Sequence, residues 1–162
     1  MRTTDQPRFQ KFHLEGVRYI DPSDAYEALV NSEAVIIDVR ETDELELESI
    51  PLDRVLYHPM SVIMDRLQNI SKDQNIILAC PVGVRSARVS NLLGRLGYSH
   101  VANLDGGLKN WRSIGLPFQS NRPVSGCGCN SPEPIKADTN SSNILAVENL
   151  SQNIDFKNLR RL

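Results

Sequence analysis

The chain has 162 residues, of which 40% are hydrophobic and 23% charged, a composition that suits one globular domain and leaves little room for a second. Its net charge of −2 and pI near 5.9 exclude a strong overall attraction to nucleic acid or to an anionic membrane. No apolar run reaches the roughly 18 residues of a membrane span, and the polar start lacks a signal-peptide core. We therefore expect a cytoplasmic protein with neither nucleic-acid nor membrane partners.

The first helix and the first long strand are predicted near the start of the chain. Asp21 can cap a helix in which Pro22 takes the first position. The apolar face of this helix would be supplied by Ala25, Leu29 and Val30. Residues 34–39 form a β-branched run without alternation, the pattern of a strand buried on both faces.

Four further elements are predicted before residue 81. Residues 41–48 are acidic and indicate a solvated loop or a short helix, and residues 55–57 predict a short strand. Residues 61–70 predict a helix, with Ser61 as a plausible cap. Its apolar positions would be Val62, Met64, Leu67 and Ile70. Residues 75–80 predict a second buried strand, whose last residue is a cysteine.

The pattern of alternating strands and helices continues beyond this cysteine. Residues 85–96 have helical spacing and Gly97 provides the stop, while residues 101–104 predict a strand. Gly106-Gly107 then leads into a helix that carries Leu108 and Trp111. This order predicts an α/β domain with a mainly parallel central sheet flanked by helices.

The last quarter of the chain has a different composition. Residues 120–142 are rich in Ser, Asn, Pro and Gly, which indicates a linker or an extended tail. Residues 144–162 regain some periodicity, and a docked helix and disorder both remain open. We therefore divide the chain into an N-terminal extension (1–15), a domain (16–118) and a low-complexity tail with a candidate terminal helix (119–162).

The three cysteines are Cys80, Cys127 and Cys129. An odd number without a secretory signal argues against a disulfide framework, so free thiols are expected. The spacing of cysteines and histidines predicts no metal site. Cys127 and Cys129, one glycine apart, could relay sulfur or resolve a mixed disulfide, could bind a soft metal together with another chain, or could be ordinary exposed cysteines.

Cys80 stands where a buried strand gives way to a helix, the position at which open α/β sheets place ligand sites. Loop amides, the helix dipole and the charge of Arg85 each favour a thiolate, which is the reactive form. Gly83 permits backbone angles that a side chain would hinder. The alternative is an inert, buried cysteine at a strand end.

Four segments together resemble the single-domain rhodanese-like sulfurtransferase family. They are residues 35–40 (VIIDVR), 80–86 (CPVGVRS), 104–111 (LDGGLKNW) and 115–117 (GLP), and their order and spacing match over residues 16–118. The resemblance implies that the loop cysteine takes a sulfane sulfur from a donor such as thiosulfate, holds it as a persulfide, and passes it to cyanide or a thiol. No cofactor is implied, and a protein is a further candidate acceptor.

The resemblance also implies a role for each residue of the loop. Cys80 would be the nucleophile, and the substrate cradle would comprise Pro81, Val82, Gly83, Val84, Arg85 and Ser86. The loop amides would stabilise the persulfide anion, and Arg85 would help to hold an anionic donor. Asp38, Arg40 and the Asp105-Gly106-Gly107 turn are interpreted as structural, with Asp38 accepting backbone hydrogen bonds.

Two other functions fit parts of this pattern, and one segment departs from the sequence pattern of the family. Cysteine phosphatases and arsenate reductases place five residues between cysteine and arginine, whereas four separate Cys80 from Arg85 here, a smaller cradle that suits sulfur better than phosphate. A non-catalytic regulatory or protein-binding module is the second rival, although such members often lack the cysteine. Residues 48–53 (ESIPLD) stand where the family often has Gly-His-Ile-Pro-Gly-Ala, so we expect the local geometry to differ there.

Overall fold

The structure is a computed structural model, and it describes residues 1–121. The central sheet contains β1 (Arg18–Ile20), β2 (Ala34–Asp38), β4 (Val55–Tyr57), β5 (Asn75–Ala79) and β6 (Val101–Leu104). A small second sheet contains β3 (Glu48–Ser49) and β7 (Gln119–Ser120). The α-helices are α1 (Pro22–Val30), α2 (Thr42–Leu47), α3 (Val84–Arg95) and α4 (Gly107–Ser113).

The strands of the central sheet run parallel in the order β1-β6-β5-β2-β4. Side chains of successive residues point to opposite faces of a strand, and both faces of β2 are buried. Ala34 and Ile36 join the core beneath α1 and α4, whereas Val35 and Ile37 join the core beneath α3. The prediction of an α/β domain with a parallel sheet covered by helices is confirmed, as is the absence of alternation in its central strands.

Helix α1 begins as its sequence predicts. Asp21 Oδ1 accepts a hydrogen bond from the backbone N–H of Ser23 at 2.9 Å, and Pro22 takes the first helical position. Ala25 and Leu29 are buried as predicted. The prediction for Val30 was wrong, because this last residue of α1 is 61% exposed.

The predicted helix at residues 61–70 is replaced by two 3₁₀ helices, Met60–Val62 and Met64–Asn69. The hydroxyl of Tyr98 donates to the carbonyl oxygens of Leu67 and Ile70 at 3.0 and 3.2 Å. Tyr98 follows α3 in the chain, and its hydroxyl reaches the carbonyl oxygens at the end of the second 3₁₀ helix. The core positions therefore shift, with Ile63 2% exposed and Met64 55% exposed.

Residues outside the predicted domain also pair with it. Thr4 and Tyr19 exchange two backbone hydrogen bonds of 2.8 Å, which places the N-terminal segment beside β1. Strand β7, at Gln119–Ser120, pairs antiparallel with β3, and the N–H of Asn121 donates to Leu47 O at 2.8 Å. The segments named extension and tail from the sequence thus both contribute residues to the described fold.

Within residues 1–121, no helix is long and apolar enough to cross a membrane. Cys127, Cys129 and the candidate terminal helix lie outside the described residues.

Candidate active site

Cys80 follows β5 directly and lies at the carboxyl edge of the central sheet. Its side chain is 1% exposed and faces α3. Two groups of Ser86 donate to the Cys80 Sγ, the backbone N–H at 3.4 Å and the hydroxyl at 3.2 Å. Ser86 belongs to the first turn of α3, where backbone N–H groups have no partner within the helix. Sulfur at this position therefore lies against donors that favour a negative charge.

The loop from Cys80 to α3 is held from its outer side by helix α4. The backbone N–H of Leu108 donates to Cys80 O, and that of Lys109 donates to Pro81 O, both at 2.9 Å. Gly83 caps α3 in the left-handed conformation, with φ of 82°, which a side chain would strain. The predicted need for glycine at this position is thus explained by its backbone angles.

Gly107 is the closest point of approach between α4 and the cysteine loop. A Cβ at this position would overlap the carbonyl oxygen of Cys80 and would lie 2.6 Å from the backbone nitrogen of Gly83. The φ of Gly107 is also positive, at 63°. The Gly-Gly pair, interpreted from the sequence as turn chemistry, is what allows α4 to touch the loop.

Arg85 lies in the first turn of α3 and pairs with Glu44 of α2. The pair is bidentate, with N–O distances of 2.7 and 2.6 Å, and each side chain is 32% exposed. The hydrogen bonds from Arg85 are the main cause that holds the pKa of Glu44 below its ordinary value. Those same bonds raise the pKa of Arg85. Arg85 is therefore held by Glu44, and it lies one residue before Ser86, whose backbone N–H and hydroxyl donate to the Cys80 Sγ.

Asp38 and Arg40 form a second pair, at the end of β2. Arg40 Nη2 lies 2.7 Å from Asp38 Oδ2, the two residues are 2% and 0% exposed respectively, and Arg40 also donates to Glu48 O. Asp38 accepts the backbone N–H of Arg40 at 3.1 Å, as predicted for a structural carboxylate. With its partners buried, this pair contributes to the shape of the site.

A cavity of about 410 Å³ borders the loop at Pro81 and Val82. Its wall includes Lys109 and Arg112 of α4, and Phe118. Val82 is 49% exposed, so the loop presents an apolar surface to this space. Glu44 and Glu48 also line the cavity, which thus combines apolar, cationic and acidic groups next to the loop that carries the cysteine.

The structure brings the predicted loop residues together and adds others that the sequence analysis did not single out. Glu44 was part of an acidic segment, and Lys109 and Arg112 were positions on a helix. Gln10 was part of the N-terminal extension, yet its side chain reaches the loop at Gly83. Each of these contacts joins distant parts of the chain, and no local pattern in the sequence points to them.

Comparison with known proteins agrees with this fold. The sequence profile of the rhodanese-like domain matches residues 21–114, which include Cys80, and the chain belongs to this family. It is similar to a sulfurtransferase of Allochromatium vinosum, at 34% identity over 63% of this chain and 94% of that protein. It is also similar to a tRNA uridine(34) hydroxylase of Bacillus cereus, at 30% identity, over 56% of this chain and only 30% of that protein.

A solved structure shows the same architecture. The rhodanese-related protein from Thermoplasma volcanium superimposes with a TM-score of 0.56 at 28% identity, and the match covers 62% of this chain and 96% of that one.

Proposed function

We propose that this protein carries a sulfane sulfur as a persulfide on Cys80 and transfers it from a donor such as thiosulfate to cyanide or a thiol. A sulfurtransferase role follows from the family and from the similarity to the Allochromatium vinosum protein. The observation that carries the more specific proposal is the position of the Cys80 sulfur, which accepts two hydrogen bonds from Ser86 at the N-terminus of α3. We also propose a reducing compartment, the cytoplasm, because the reaction needs Cys80 as a free thiol.

The first half-reaction would load the sulfur. The Cys80 thiolate attacks the outer sulfur of thiosulfate, a new S–S bond forms, and the S–S bond of thiosulfate breaks with its electron pair leaving on sulfite. The product is a persulfide anion on Cys80. Hydrogen bonds from the first turn of α3 would stabilise this charge, as they do the thiolate.

The second half-reaction would unload it. Cyanide or a thiolate attacks the outer sulfur of the persulfide, and the bond to Cys80 breaks with its electrons returning to the Cys80 sulfur. The products are thiocyanate or a new persulfide, together with the original thiolate. Atoms and charge balance in both halves, so no cofactor takes part.

Arg85 and the adjacent cavity supply the contacts that we propose for an anionic donor. A guanidinium has five N–H donors, and Glu44 takes one from each of two nitrogens of Arg85. The remaining donors can bind a second anion without breaking the pair. Lys109 and Arg112 also line the cavity, and Arg112 lies 3.6 Å from Glu48. Lys109 is therefore the cation of the cavity wall that we propose a small anion, or a thiol on an acidic protein, would meet on its way to the loop.

Intact mass spectrometry after exposure to thiosulfate tests this proposal. The wild type is expected to gain one sulfur atom, located on the peptide that contains Cys80, and to lose it on addition of cyanide. Cys80→Ser is expected to gain none. The Cys127→Ser/Cys129→Ser double variant is the matched control, because it removes two thiols and keeps Cys80.

A wild type that gains no sulfur from thiosulfate or from an organic persulfide would overturn the proposal. Sulfur uptake by Cys80→Ser equal to that of the wild type would place the carrier elsewhere in the chain.

A further inference from the structure

The side chain of Gln10 joins two loops at the carboxyl edge of the sheet. Its Oε1 accepts hydrogen bonds from the backbone N–H of Gly106 and from Asn103 Nδ2, both at 3.1 Å. Its Nε2 donates to Phe12 O at 2.7 Å and to Gly83 O at 3.4 Å. One side chain thus connects the turn that follows β6 with the loop that follows Cys80.

The segment around Gln10 is fastened to a buried anchor. The carboxylate of Asp105, which is 2% exposed, accepts the backbone N–H of Arg8 at 2.6 Å and that of Phe9 at 3.2 Å. These bonds fix the backbone immediately before Gln10. The side chain of Gln10 therefore extends to Gly83 from a backbone that Asp105 holds in place.

The contact bears on the shape of the sulfur cradle. Gly83 O accepts the backbone N–H of Ala87, the first hydrogen bond of α3, at 3.2 Å, and Gln10 adds a second donor to the same oxygen at 3.4 Å. In a trans peptide the carbonyl and the N–H point in opposite directions, so these two donors together turn the N–H of Val84 away from Gln10. The backbone N–H of Lys109 holds Pro81 O in the same way, and so orients the N–H of Val82, which belongs to the same peptide. Gln10 and α4 therefore fix two different peptide planes of one loop.

The space at Gly83 fits this arrangement. A Cβ on Gly83 would collide with Oε1 of Gln10, so the glycine allows this side chain to approach as well as supplying the left-handed backbone angle. The family profile matches residues 21–114, and Gln10 precedes that range.

We propose that Gln10 is a positioning residue for the cysteine loop: it holds the Gly83–Val84 peptide in the orientation that the loaded sulfur requires. This inference rests on the proposed sulfurtransferase function. Gln10 touches the outer side of the loop, so it is expected to affect the rate of sulfur loading more than the binding of the donor.

Single-turnover loading of Cys80 from thiosulfate, followed by intact mass, tests the proposal with two variants. Gln10→Met keeps the length of the side chain and removes its hydrogen bonds, and Gln10→Ala removes both. Both variants remove all four hydrogen bonds of the side chain, and the loss of the one to Gly83 O is expected to lower the maximal loading rate constant about three- to tenfold. The donor concentration that gives half the maximal rate is expected to change by less than about twofold.

Gln6 provides the matched control. It lies in the same segment, is exposed, and has no side-chain hydrogen bond among those described for residues 1–121. Gln6→Met and Gln6→Ala are expected to stay within about twofold of the wild type, as most surface substitutions do. A fraction of unfolded molecules would lower the amplitude of loading and leave the rate constant unchanged, so the two parameters separate folding from positioning.

The outcomes distinguish this inference from the proposed function. If the wild type takes up sulfur and the Gln10 variants load at the rate of the Gln6 variants, or lose amplitude alone, the positioning role is overturned and the proposed function stands. If the wild type takes up no sulfur, both fall together. A slower rate constant at full amplitude in both Gln10 variants supports the proposal.

Discussion

Two carboxylate–arginine pairs near the cysteine loop, Asp38–Arg40 and Glu44–Arg85, differ in exposure. Asp38 and Arg40 are two residues apart in sequence and 0% and 2% exposed. Glu44 and Arg85 are 41 residues apart, and each is 32% exposed. The first pair is almost fully buried, although Arg40 borders the cavity beside the loop, whereas both side chains of the second pair are partly exposed.

The difference in exposure determines what each pair can do. A buried charge is tolerated only beside an opposite charge. The buried pair of Asp38 and Arg40, called the inner pair below, therefore has a structural role, and breaking it is costly. The partly exposed pair of Glu44 and Arg85, called the outer pair below, contributes little to stability because water screens it. Its arginine keeps further N–H groups that can bind a substrate. Similar chemistry thus has a structural use at the end of β2 and a proposed functional use at the start of α3.

The largest expected effect comes from breaking the inner pair. Arg40→Met leaves the carboxylate of Asp38 buried and uncompensated, and is expected to lower the free energy of unfolding by about 3–5 kcal/mol. Arg85→Met, the matched control in the outer pair, is expected to lower it by about 0.2–1 kcal/mol. Urea unfolding of both variants measures the difference, and equal losses would contradict the contrast between the pairs.

Arg85→Met is expected to affect the loading of Cys80 more strongly than it affects stability. Arg85→Met removes a charge-assisted contact worth about 1.5–3 kcal/mol, so loading from thiosulfate at low concentration should slow roughly ten- to a hundredfold. Loading from an uncharged organic sulfur donor should slow less. Glu44→Gln is the control, because it retains Arg85. Equal losses with the charged and the uncharged donor would show that Arg85 only supports the shape of the loop.

The smallest effect concerns the pH dependence of the outer pair. Hydrogen bonds from Arg85 lower the pKa of Glu44 below its ordinary value of 4.5. A lowered folded pKa means that the pair stabilises the protein above the unfolded pKa and that this stabilisation is lost as pH falls through the folded value. The advantage of the wild type over Glu44→Gln should therefore be about 0.2–1 kcal/mol near neutral pH and should shrink below about pH 4.5.

Urea unfolding of the wild type and of Glu44→Gln, near neutral pH and below the ordinary pKa of glutamate, checks this expectation. An advantage that grew on acidification would contradict the assigned direction of the shift.

Much of the fold could be predicted from local patterns. Residues 34–39 and 75–80 were assigned as buried strands because apolar side chains fill both faces, and β2 and β5 lie there with ends one residue earlier. The 3₁₀ helices at residues 60–69 could not be predicted, because the hydrogen bonds of Tyr98 select them from about 30 residues away.

The site divides in the same way. Cys80, Gly83 and Ser86 are close in sequence, so one motif indicates them all, and Ser86 donates to the Cys80 Sγ in the structure. Glu44 and Gln10 reach the loop from 41 and 73 residues away. Neither residue belongs to a pattern of its own, and only the packing of the folded chain brings them to the cysteine.

The backbone pairing of Thr4 with Tyr19 has a consequence for self-association. Strand β1 ends the order of the central sheet, and Thr4 takes one N–H and one C=O of Tyr19 that would otherwise be open at that edge. An uncovered edge strand is a template for pairing with another molecule and so for aggregation. The first residues of the chain therefore block strand pairing at this position of β1, and a protein shortened to begin at Gly16 would expose these two groups of Tyr19.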